Sequence, residues 1–335
     1  MPESETAPPA GRIELLQTGP LMPMIETQLT EHFLVHRLDG EGGDAVLASV
    51  GPRIRAIATG VGATARRRVT ADLMDALPNL EIVSNFGVGY DSVDAAAAGT
   101  RGVVVTNTPG VLDDEVADLT LALLLAAIRR LPQAERYLRA GKWPGGAFPL
   151  TATLRDRSIG IVGMGRIGQA IARRLEGFGR PIAYHSRRPA ADVDYPHYPE
   201  LLALAGAVDT LIVIVPGGAQ THHMINAEVL EALGPRGVLI NVARGSVVDE
   251  PALIAALQDG TIMSAGLDVF AHEPNVPEAL IALDNVVLLP HVASATQLTR
   301  DAMGQLVVDN LLAWASGRPP LTPVAETPWP PAKKA

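Results

Sequence analysis

Three side chains in the second half of the chain have types that could reduce a 2-keto acid: Arg244, Glu273 and His291. Such a reduction needs a cation for the carboxylate, an acid for the carbonyl oxygen and a partner that keeps the acid protonated. A guanidinium can bind a carboxylate through two parallel hydrogen bonds, so Arg244 can be the cation. Histidine titrates near neutral pH, so His291 can be the acid, and Glu273 would favour its charged form. Each residue alone also fits an ordinary structural role, and only the set favours catalysis.

A glycine-rich segment follows the apolar run Ser158–Val162 and precedes a helical pattern. In such a segment the first glycine permits the turn from strand to helix, and the second lets backbone amides approach a pyrophosphate. The third lets the helix pack on the strand with its N-terminus towards the phosphates. The spacing predicts a dinucleotide at Gly163, Met164, Gly165, Arg166, Ile167 and Gly168. A second such segment, Gly60–Ala65, leads into three arginines, and we interpret it as a loop without this role.

The residues after the next predicted strand favour NADPH over NADH. An NAD site has Asp or Glu about 20 residues after the glycines, but no acidic residue lies between Gly177 and Ala191. The expected place holds Ser186, Arg187 and Arg188. Two guanidinium groups and a hydroxyl can bind a 2′-phosphate, which a carboxylate would repel. A solvated turn with two arginines is the alternative interpretation.

Short β-branched runs alternate with helical patterns along most of the chain, which is typical of parallel sheets with helices on both faces. The predicted strands are Arg12–Leu16, His32–His36, Ile54–Ala58, Glu81–Ser84, Val103–Thr106, Ser158–Val162, Pro181–His185, Thr210–Val215, Val238–Val242, Met263–Leu267 and Val286–Leu289. These strands are too many for one small sheet, so the sequence predicts an α/β protein with two such units. Arg244, Asp268 and His291 then follow three strands, at the edge where open α/β sheets bind ligands.

Two long helices, predicted at Asp114–Leu131 and Ala295–Ser316, mark the domain organisation. We predict a nucleotide-binding domain over residues 110–294, inserted into a substrate domain made of residues 11–109 and 295–323. The proline-containing ends, residues 1–10 and 324–335, are predicted to be flexible tails.

Composition excludes several classes of protein. The 335 residues carry 27 Lys+Arg and 36 Asp+Glu, a net charge of −9, which argues against nucleic acid or an anionic membrane as partner. With 47% hydrophobic and 19% charged residues the chain is not disordered. It has no cysteine, so disulfides, thiolate nucleophiles and Cys-ligated metals are excluded, and its histidines show no metal spacing. Without an evident signal or membrane segment, a cytoplasmic location is expected.

Six segments match one known family in order: Asn85–Asp94, Val105–Gly110, Gly163–Gly168, Asn241–Glu250, Ala265–Pro274 and Leu288–Thr296. They resemble the D-isomer-specific 2-hydroxyacid dehydrogenases, over about residues 50–323. The resemblance implies two Rossmann-like or flavodoxin-like parallel-sheet domains, one inserted into the other, and a homodimer. The turn at Ser186–Arg188 resembles the NADPH-using glyoxylate/hydroxypyruvate and hydroxyphenylpyruvate reductase branch.

The resemblance also assigns roles to residues of this sequence. It implies that Arg244, Glu273 and His291 are catalytic, with Arg244 and His291 also contacting the substrate, and that Asp268 meets the nicotinamide carboxamide. Backbone amides of Val88 and Gly89 are expected to hold the substrate carboxylate. Five more residues are expected beside the cofactor, namely Pro216, Thr221, Val242, Ala243 and Ala293. At Ala293 many members of the family carry glycine.

The leading hypothesis is NADPH-dependent reduction of glyoxylate to glycolate or of hydroxypyruvate to D-glycerate. A bulkier substrate such as an aryl pyruvate is one alternative, and residues that could shape its pocket are Val61, Gly62, Trp143 and Phe148. Another is a non-catalytic dinucleotide-sensing scaffold of the same fold. A formate dehydrogenase is disfavoured, because that branch is expected to have Gln where this chain has Glu273.

Overall fold

The chain divides into two compact units in a computed structural model that describes residues 11–38, 43–60, 68–191 and 193–331. The first unit combines residues 1–111 with 297–335, and the second is residues 112–296. The domain boundaries expected from the sequence, 109/110 and 294/295, lie two residues from these divisions. The predicted N-terminal tail, residues 1–10, lies outside the described residues, as does most of Gly60–Ala65, including Val61 and Gly62.

Short strands and helices alternate along the described residues. The strands are β1 (Glu14–Gln17), β2 (Leu34–Arg37), β3 (Ile54–Ala58), β4 (Ile82–Ser84), β5 (Val104–Thr106), β6 (Ile159–Val162), β7 (Ile182–His185), β8 (His197–Tyr198), β9 (Thr210–Val213), β10 (Val238–Asn241), β11 (Ser264–Leu267) and β12 (Val286–Leu288). The helices are α1 (Pro23–His32), α2 (Gly43–Val50), α3 (Ala71–Asp75), α4 (Ala95–Thr100), α5 (Asp113–Arg129), α6 (Leu131–Arg139), α7 (Arg166–Glu176), α8 (Leu201–Ala207), α9 (Ala227–Leu233), α10 (Glu250–Gln258), α11 (Glu278–Ile281) and α12 (Gln297–Ala315).

Two parallel sheets confirm the predicted fold class. The first unit has a five-stranded sheet in the order β2-β1-β3-β4-β5, and the second has a seven-stranded sheet in the order β12-β11-β10-β9-β6-β7-β8. In the second sheet β6, β9, β10 and β11 are buried along their whole length, as expected of parallel strands covered on both faces. The chain order reverses between β6 and β9, so the glycine-rich segment after β6 lies where such sheets bind ligands.

The first long helix is shorter than expected. It was predicted to reach Leu131, but α5 ends at Arg129 because Arg130 adopts a left-handed conformation (φ 52°), and α6 begins at the next residue. Within the second unit α5 packs on α7 and on the sheet at β10, β11 and β12. Its acidic start also pairs with α7, since Arg166 Nε lies 2.8 Å from an Asp113 carboxylate oxygen.

The C-terminal segment differs from the prediction. Residues 324–335 were expected to be a flexible tail, and this is wrong for residues 324–331. Pro323 forms a β-bridge with Thr106, the last residue of β5, and Val324 is buried. The Thr327 hydroxyl accepts a hydrogen bond from the Val105 N–H at 2.8 Å. The segment therefore covers the edge of the first sheet. Residues 332–335 lie outside the described residues.

Strand β8 is absent from the prediction, because two residues are too few to show a periodic pattern. It extends the second sheet beyond β7, through pairing of Tyr184 with His197 and of His185 with Tyr198. In the described part of the chain, no helix has both the length and the apolar character needed to cross a membrane.

Candidate active site

Arg244, Asp268 and His291 follow three adjacent strands of the second sheet, β10, β11 and β12. Because these strands are parallel, their carboxyl ends lie at one edge of the sheet. The backbone N–H of Asp268 donates to the Asn241 carbonyl at 3.0 Å, and that of His291 donates to the Asp268 carbonyl at 2.9 Å. The strand pairing thus continues into the loops and brings the three positions together.

The side chains of His291 and Glu273 form a hydrogen-bonded pair. The Nδ1 atom of His291 lies 2.8 Å from Oε2 of Glu273, and the second carboxylate oxygen of Glu273 accepts from the Phe270 N–H at 3.1 Å. The carboxylate is largely enclosed, with 16% of its side chain exposed, whereas the imidazole is 42% exposed. Because a carboxylate only accepts, Nδ1 must carry a proton, and Nε2 is the ring nitrogen left for a substrate.

His291 is held in an unusual backbone conformation. Its φ of 53° lies in the left-handed region, which costs a non-glycine residue about 1–3 kcal/mol. Hydrogen bonds to the next two residues stabilise this conformation: Asp268 accepts from the Val292 N–H at 2.8 Å and from the Ala293 N–H at 2.9 Å, one on each carboxylate oxygen. Asp268 therefore fixes the backbone on which the imidazole is mounted.

Arg244 lies in a tightly built loop. The side-chain amide of Asn241 accepts from the Ala243 N–H at 3.0 Å and donates to the Arg244 carbonyl at 3.1 Å. A Cβ added at Gly245 would lie 1.8 Å from the Phe270 carbonyl carbon, so this glycine lets the Arg244 loop pack against the segment that carries Glu273. The side chains of Val242 and Ala243 are buried, and their contribution to a cofactor site would come from the backbone.

Buried Glu250, the first residue of α10, also holds the segment that carries Glu273. Its Oε2 atom accepts from the Ala271 N–H at 3.2 Å. No role is predicted from the sequence for Glu250 or for Asn241. An Asn at a strand end followed by a turn is a recognisable signal for a side chain that braces the backbone, whereas no local signal links Glu250 to residue 271.

The two acids of the site have opposite shifts in pKa. Burial works against ionisation of Glu273, but the hydrogen bond and charge of His291, the Phe270 N–H and the charge of Arg244 together hold its pKa below the ordinary 4.5. Burial raises the pKa of Asp268 above 3.8, and the two backbone N–H donors offset this only in part.

The glycine-rich segment has the shape that a dinucleotide requires. Gly163 has a φ of 104°, and a Cβ there would lie 2.6 Å from the Ile214 carbonyl oxygen. A Cβ at Gly168 would lie 2.1 Å from the Gly163 carbonyl oxygen, so this glycine permits close packing of α7. Around Gly165 a Cβ would meet nothing within 4 Å, which leaves open space at the N-terminus of α7. A pyrophosphate fits there.

The other residues predicted in this segment differ in exposure. Met164 is buried, so only its backbone is available to a cofactor. Ile167 is partly buried in the first turn of α7, and the Arg166 side chain is exposed and paired with Asp113.

Ser186, Arg187 and Arg188 form a turn directly after β7. The Ser186 hydroxyl donates to the Arg188 carbonyl at 2.6 Å, so its proton is used within the turn rather than held free for a phosphate. Nε2 of His197 lies 2.9 Å from the Ser186 carbonyl oxygen and supports the turn from β8. Both arginines are exposed. The supporting role of His197 is not predicted from the sequence, because β8 is too short to show a periodic pattern.

Pro216 and Thr221 lie together in the loop after β9. The Thr221 hydroxyl donates to the Pro216 carbonyl at 2.6 Å, and the Thr221 N–H donates to the Gly218 carbonyl at 3.1 Å. Because β9 and β7 flank β6, this loop and the arginine turn lie on opposite sides of the glycine-rich segment.

Val88 and Gly89 belong to the first unit, in the loop after β4. The Asn107 side chain donates to the Val88 carbonyl at 2.9 Å, and the Asn85 side chain donates to the Gly87 and Gly89 carbonyls, each at 3.1 Å. These bonds fix the positions of three carbonyl groups of the loop. Trp143 and Phe148 lie in the second unit, where Phe148 packs edge-on against Tyr137.

A family model and a solved structure that match this chain both describe the same kind of protein. A family model described as "D-isomer specific 2-hydroxyacid dehydrogenase, NAD binding domain" matches residues 121–293. The crystal structure of an NADPH-dependent glyoxylate/hydroxypyruvate reductase from Sinorhizobium meliloti, in complex with NADP and malonate, is 55% identical to this chain with a TM-score of 0.90. That alignment covers 95% of this chain and 98% of that chain.

This chain belongs to the D-isomer specific 2-hydroxyacid dehydrogenase family.

Two curated relatives support the assignment of this chain to the dehydrogenase family. A hydroxyphenylpyruvate reductase from Plectranthus scutellarioides and a glyoxylate/hydroxypyruvate reductase A from Arabidopsis thaliana are each 47% identical over 313 residues. Each alignment covers 93% of this chain and 99% of the relative. The family resemblance and the oxidoreductase class predicted from the sequence are therefore confirmed, and the dehydrogenase uses a nicotinamide dinucleotide.

We expect Glu273→Gln to lower the free energy of unfolding of the dehydrogenase by about 1 kcal/mol near pH 7. The folded-state pKa of Glu273 is lowered, so the stabilisation by its carboxylate is present above the unfolded value and is lost as the pH falls through the folded one. The difference between wild type and variant should therefore shrink below about pH 4.5. Urea unfolding between pH 3.5 and 7 measures it, with exposed Glu231→Gln as control. A difference in the free energy of unfolding that is constant with pH would contradict the lowered pKa of Glu273 in the folded protein.

Proposed function

We propose that the protein reduces a small 2-keto acid with NADPH, and that His291 is the proton donor. The observation that carries the proposal is the 2.8 Å contact between His291 Nδ1 and Glu273 Oε2, at the edge of a sheet whose strand β6 leads into the glycine-rich segment. A histidine mounted on such an edge, with one nitrogen fixed by a carboxylate and the other available, is suited to general acid catalysis.

Each side chain has a distinct part in the proposed reaction. When bound, the dihydronicotinamide supplies a hydride to the carbonyl carbon of the substrate. Nε2 of His291 gives its proton to the carbonyl oxygen, and the Glu273 carboxylate stabilises the imidazolium before that transfer. Arg244 is proposed to bind the substrate carboxylate. Asp268 is proposed to accept a hydrogen bond from the nicotinamide carboxamide.

The preference for NADPH rests on Arg187 and Arg188 at the turn after β7. Both are exposed, and no acidic residue lies between Gly177 and Ala191 to repel a 2′-phosphate. Support also comes from the Sinorhizobium meliloti relative, which is described as NADPH-dependent and was crystallised with NADP.

Glyoxylate and hydroxypyruvate are the proposed substrates, because two of the three relatives described above are named for them. The hydroxyphenylpyruvate reductase keeps an aryl pyruvate as a second candidate. All three substrates carry the carboxylate and keto group that Arg244 and His291 would bind, so the same chemistry serves each of them.

We also propose that the protein is a homodimer. Four large hydrophobic side chains between residues 131 and 150 are exposed, namely Leu131, Leu138, Trp143 and Leu150. Leu150 is fully exposed and Trp143 is 65% exposed. Apolar groups concentrated on one short segment mark a surface that another protein covers, and a second copy of the chain is the proposed partner.

Replacing His291 with Ala should lower kcat by about 10²- to 10⁴-fold, the usual contribution of a general acid. The affinity for NADPH should stay within about twofold, because the imidazole acts on the substrate. Oxidation of NADPH followed with glyoxylate, hydroxypyruvate and phenylpyruvate measures the first effect and ranks the substrates. Exposed His32→Ala, in α1, is the control. A variant with wild-type turnover would exclude the mechanism, and a wild type without turnover would favour the non-catalytic scaffold.

Replacing Arg187 and Arg188 together with Gln should raise the KM for NADPH by about 10- to 100-fold, as expected for the loss of charge-assisted hydrogen bonds. The KM for NADH should change by less than about threefold, because NADH has no 2′-phosphate. Steady-state kinetics with both cofactors measures the contrast, and exposed Arg173→Gln in α7 is the control. Equal losses with the two cofactors would show that the turn does not select NADPH.

Replacing Trp143 and Leu150 together with Asp should convert the dimer to a monomer, because buried charges without partners are costly at an interface. Analytical ultracentrifugation at micromolar concentration measures the mass. Ile281→Asp is the matched control, since Ile281 is similarly exposed (59%) but lies in α11. A wild-type monomer, or a dimer that persists in the double variant, would contradict the proposed interface.

A further inference from the structure

Two loops on opposite sides of the glycine-rich segment are joined by one side-chain hydrogen bond. Nη1 of Arg187, in the turn after β7, donates to Oε1 of Gln220, in the loop after β9, at 3.1 Å. The strand order is β9-β6-β7, so this bond passes from one neighbour of β6 to the other. No role is predicted for Gln220 from the sequence.

Each of the two loops is held in place by its own hydrogen bonds. The arginine turn is closed by the bond from the Ser186 hydroxyl to the Arg188 carbonyl, and the Tyr184 hydroxyl accepts from the Ala190 N–H at 2.9 Å. The loop after β9 is closed by the Thr221 hydroxyl on the Pro216 carbonyl. The contact between Arg187 and Gln220 thus joins two loops that are each closed by their own hydrogen bonds. This contact is made by side chains.

The chemistry of Gln220 suits a partner for a phosphate-binding arginine. A guanidinium has only donors, so it must meet the amide oxygen, and Nε2 of Gln220 keeps two donors. The amide is neutral and leaves the positive charge of Arg187 available to a 2′-phosphate, which carries between one and two negative charges near pH 7. A carboxylate at this position would hold the guanidinium but cancel its charge and repel the phosphate.

We propose that Gln220 is a positioning residue for cofactor selection, which aligns the Arg187 guanidinium on the 2′-phosphate of NADPH across the adenosine end of the site. The bond between the two side chains, here called the Arg187–Gln220 bridge, orients Arg187 without neutralising it. This inference rests on the proposed preference for NADPH and adds to it a residue outside the arginine turn.

The test uses two fragments that bind without turnover, adenosine 2′,5′-bisphosphate and adenosine 5′-monophosphate, with affinities measured by isothermal titration calorimetry on the full chain. Gln220→Leu removes the hydrogen bond and should weaken the bisphosphate by about threefold. Gln220→Glu keeps an acceptor but adds charge, and should weaken it by about tenfold at low salt. The loss in the Glu variant should shrink in 0.5 M salt, because exposed charges are screened. Binding of the monophosphate should stay within about twofold.

Gln258→Glu is the matched control, because Gln258 is exposed at the end of α10 in the same unit. If both Gln220 variants bind the bisphosphate like the wild type, or lose affinity equally for both fragments, the role of Gln220 is wrong. The double Arg187/Arg188 variant separates this result from the cofactor preference. If that variant alone loses selectivity for the bisphosphate, the preference for NADPH stands without the bridge. If the wild type itself does not prefer the bisphosphate, the proposed cofactor is wrong and the inference falls with it.

Discussion

The hydrogen bond between Glu273 and His291 is the constraint on which the proposed chemistry depends. Both side chains lie on loops after parallel strands, and contacts from other segments fix each loop. The Glu273 segment is fixed by Glu250 through the Ala271 N–H and by close packing against Gly245. His291 is fixed by its left-handed backbone, which Asp268 stabilises through the next two N–H groups. A carboxylate and an imidazole held in this way lose little conformational entropy when substrate arrives.

The two buried carboxylates show how one sheet edge can give similar groups different tasks. Glu273 faces positive partners, so its pKa is lowered and it remains a carboxylate that can stabilise an imidazolium. Asp268 is more deeply enclosed and has backbone donors on both oxygens, and burial raises its pKa. Asp268 stabilises the His291 loop through these backbone hydrogen bonds, and it is also the residue proposed to contact the nicotinamide. The distinction arises from the surroundings of each group and not from its side-chain type.

The residues proposed to bind the cofactor and those proposed for catalysis follow different strands of the same sheet. The segment after β6 has the room for a pyrophosphate, the loops after β7 and β9 lie on either side of it, and the loops after β10, β11 and β12 carry the catalytic candidates. Because the strands are parallel, one long ligand can run along their carboxyl ends. The chain has a net charge of −9, yet the turn after β7 carries two exposed arginines and no acid. Local charge rather than net charge thus decides what this turn can bind.

The sequence by itself determined the two parallel sheets, eleven of the strands, the family, the glycine-rich segment and the Arg–Glu–His set, because strand period, turn glycines and residue chemistry are local properties. It did not reveal β8, which is too short for a pattern, and it wrongly gave residues 324–331 to a flexible tail, since prolines there do not show that Thr327 and Val324 meet β5. Only the tertiary structure showed that Ser186 closes its own turn, that Glu250 reaches Ala271, and that Arg187 meets Gln220. These contacts join residues from separate loops or depend on the path of one turn. They are set by strand order and loop geometry, which residue type and spacing do not encode locally.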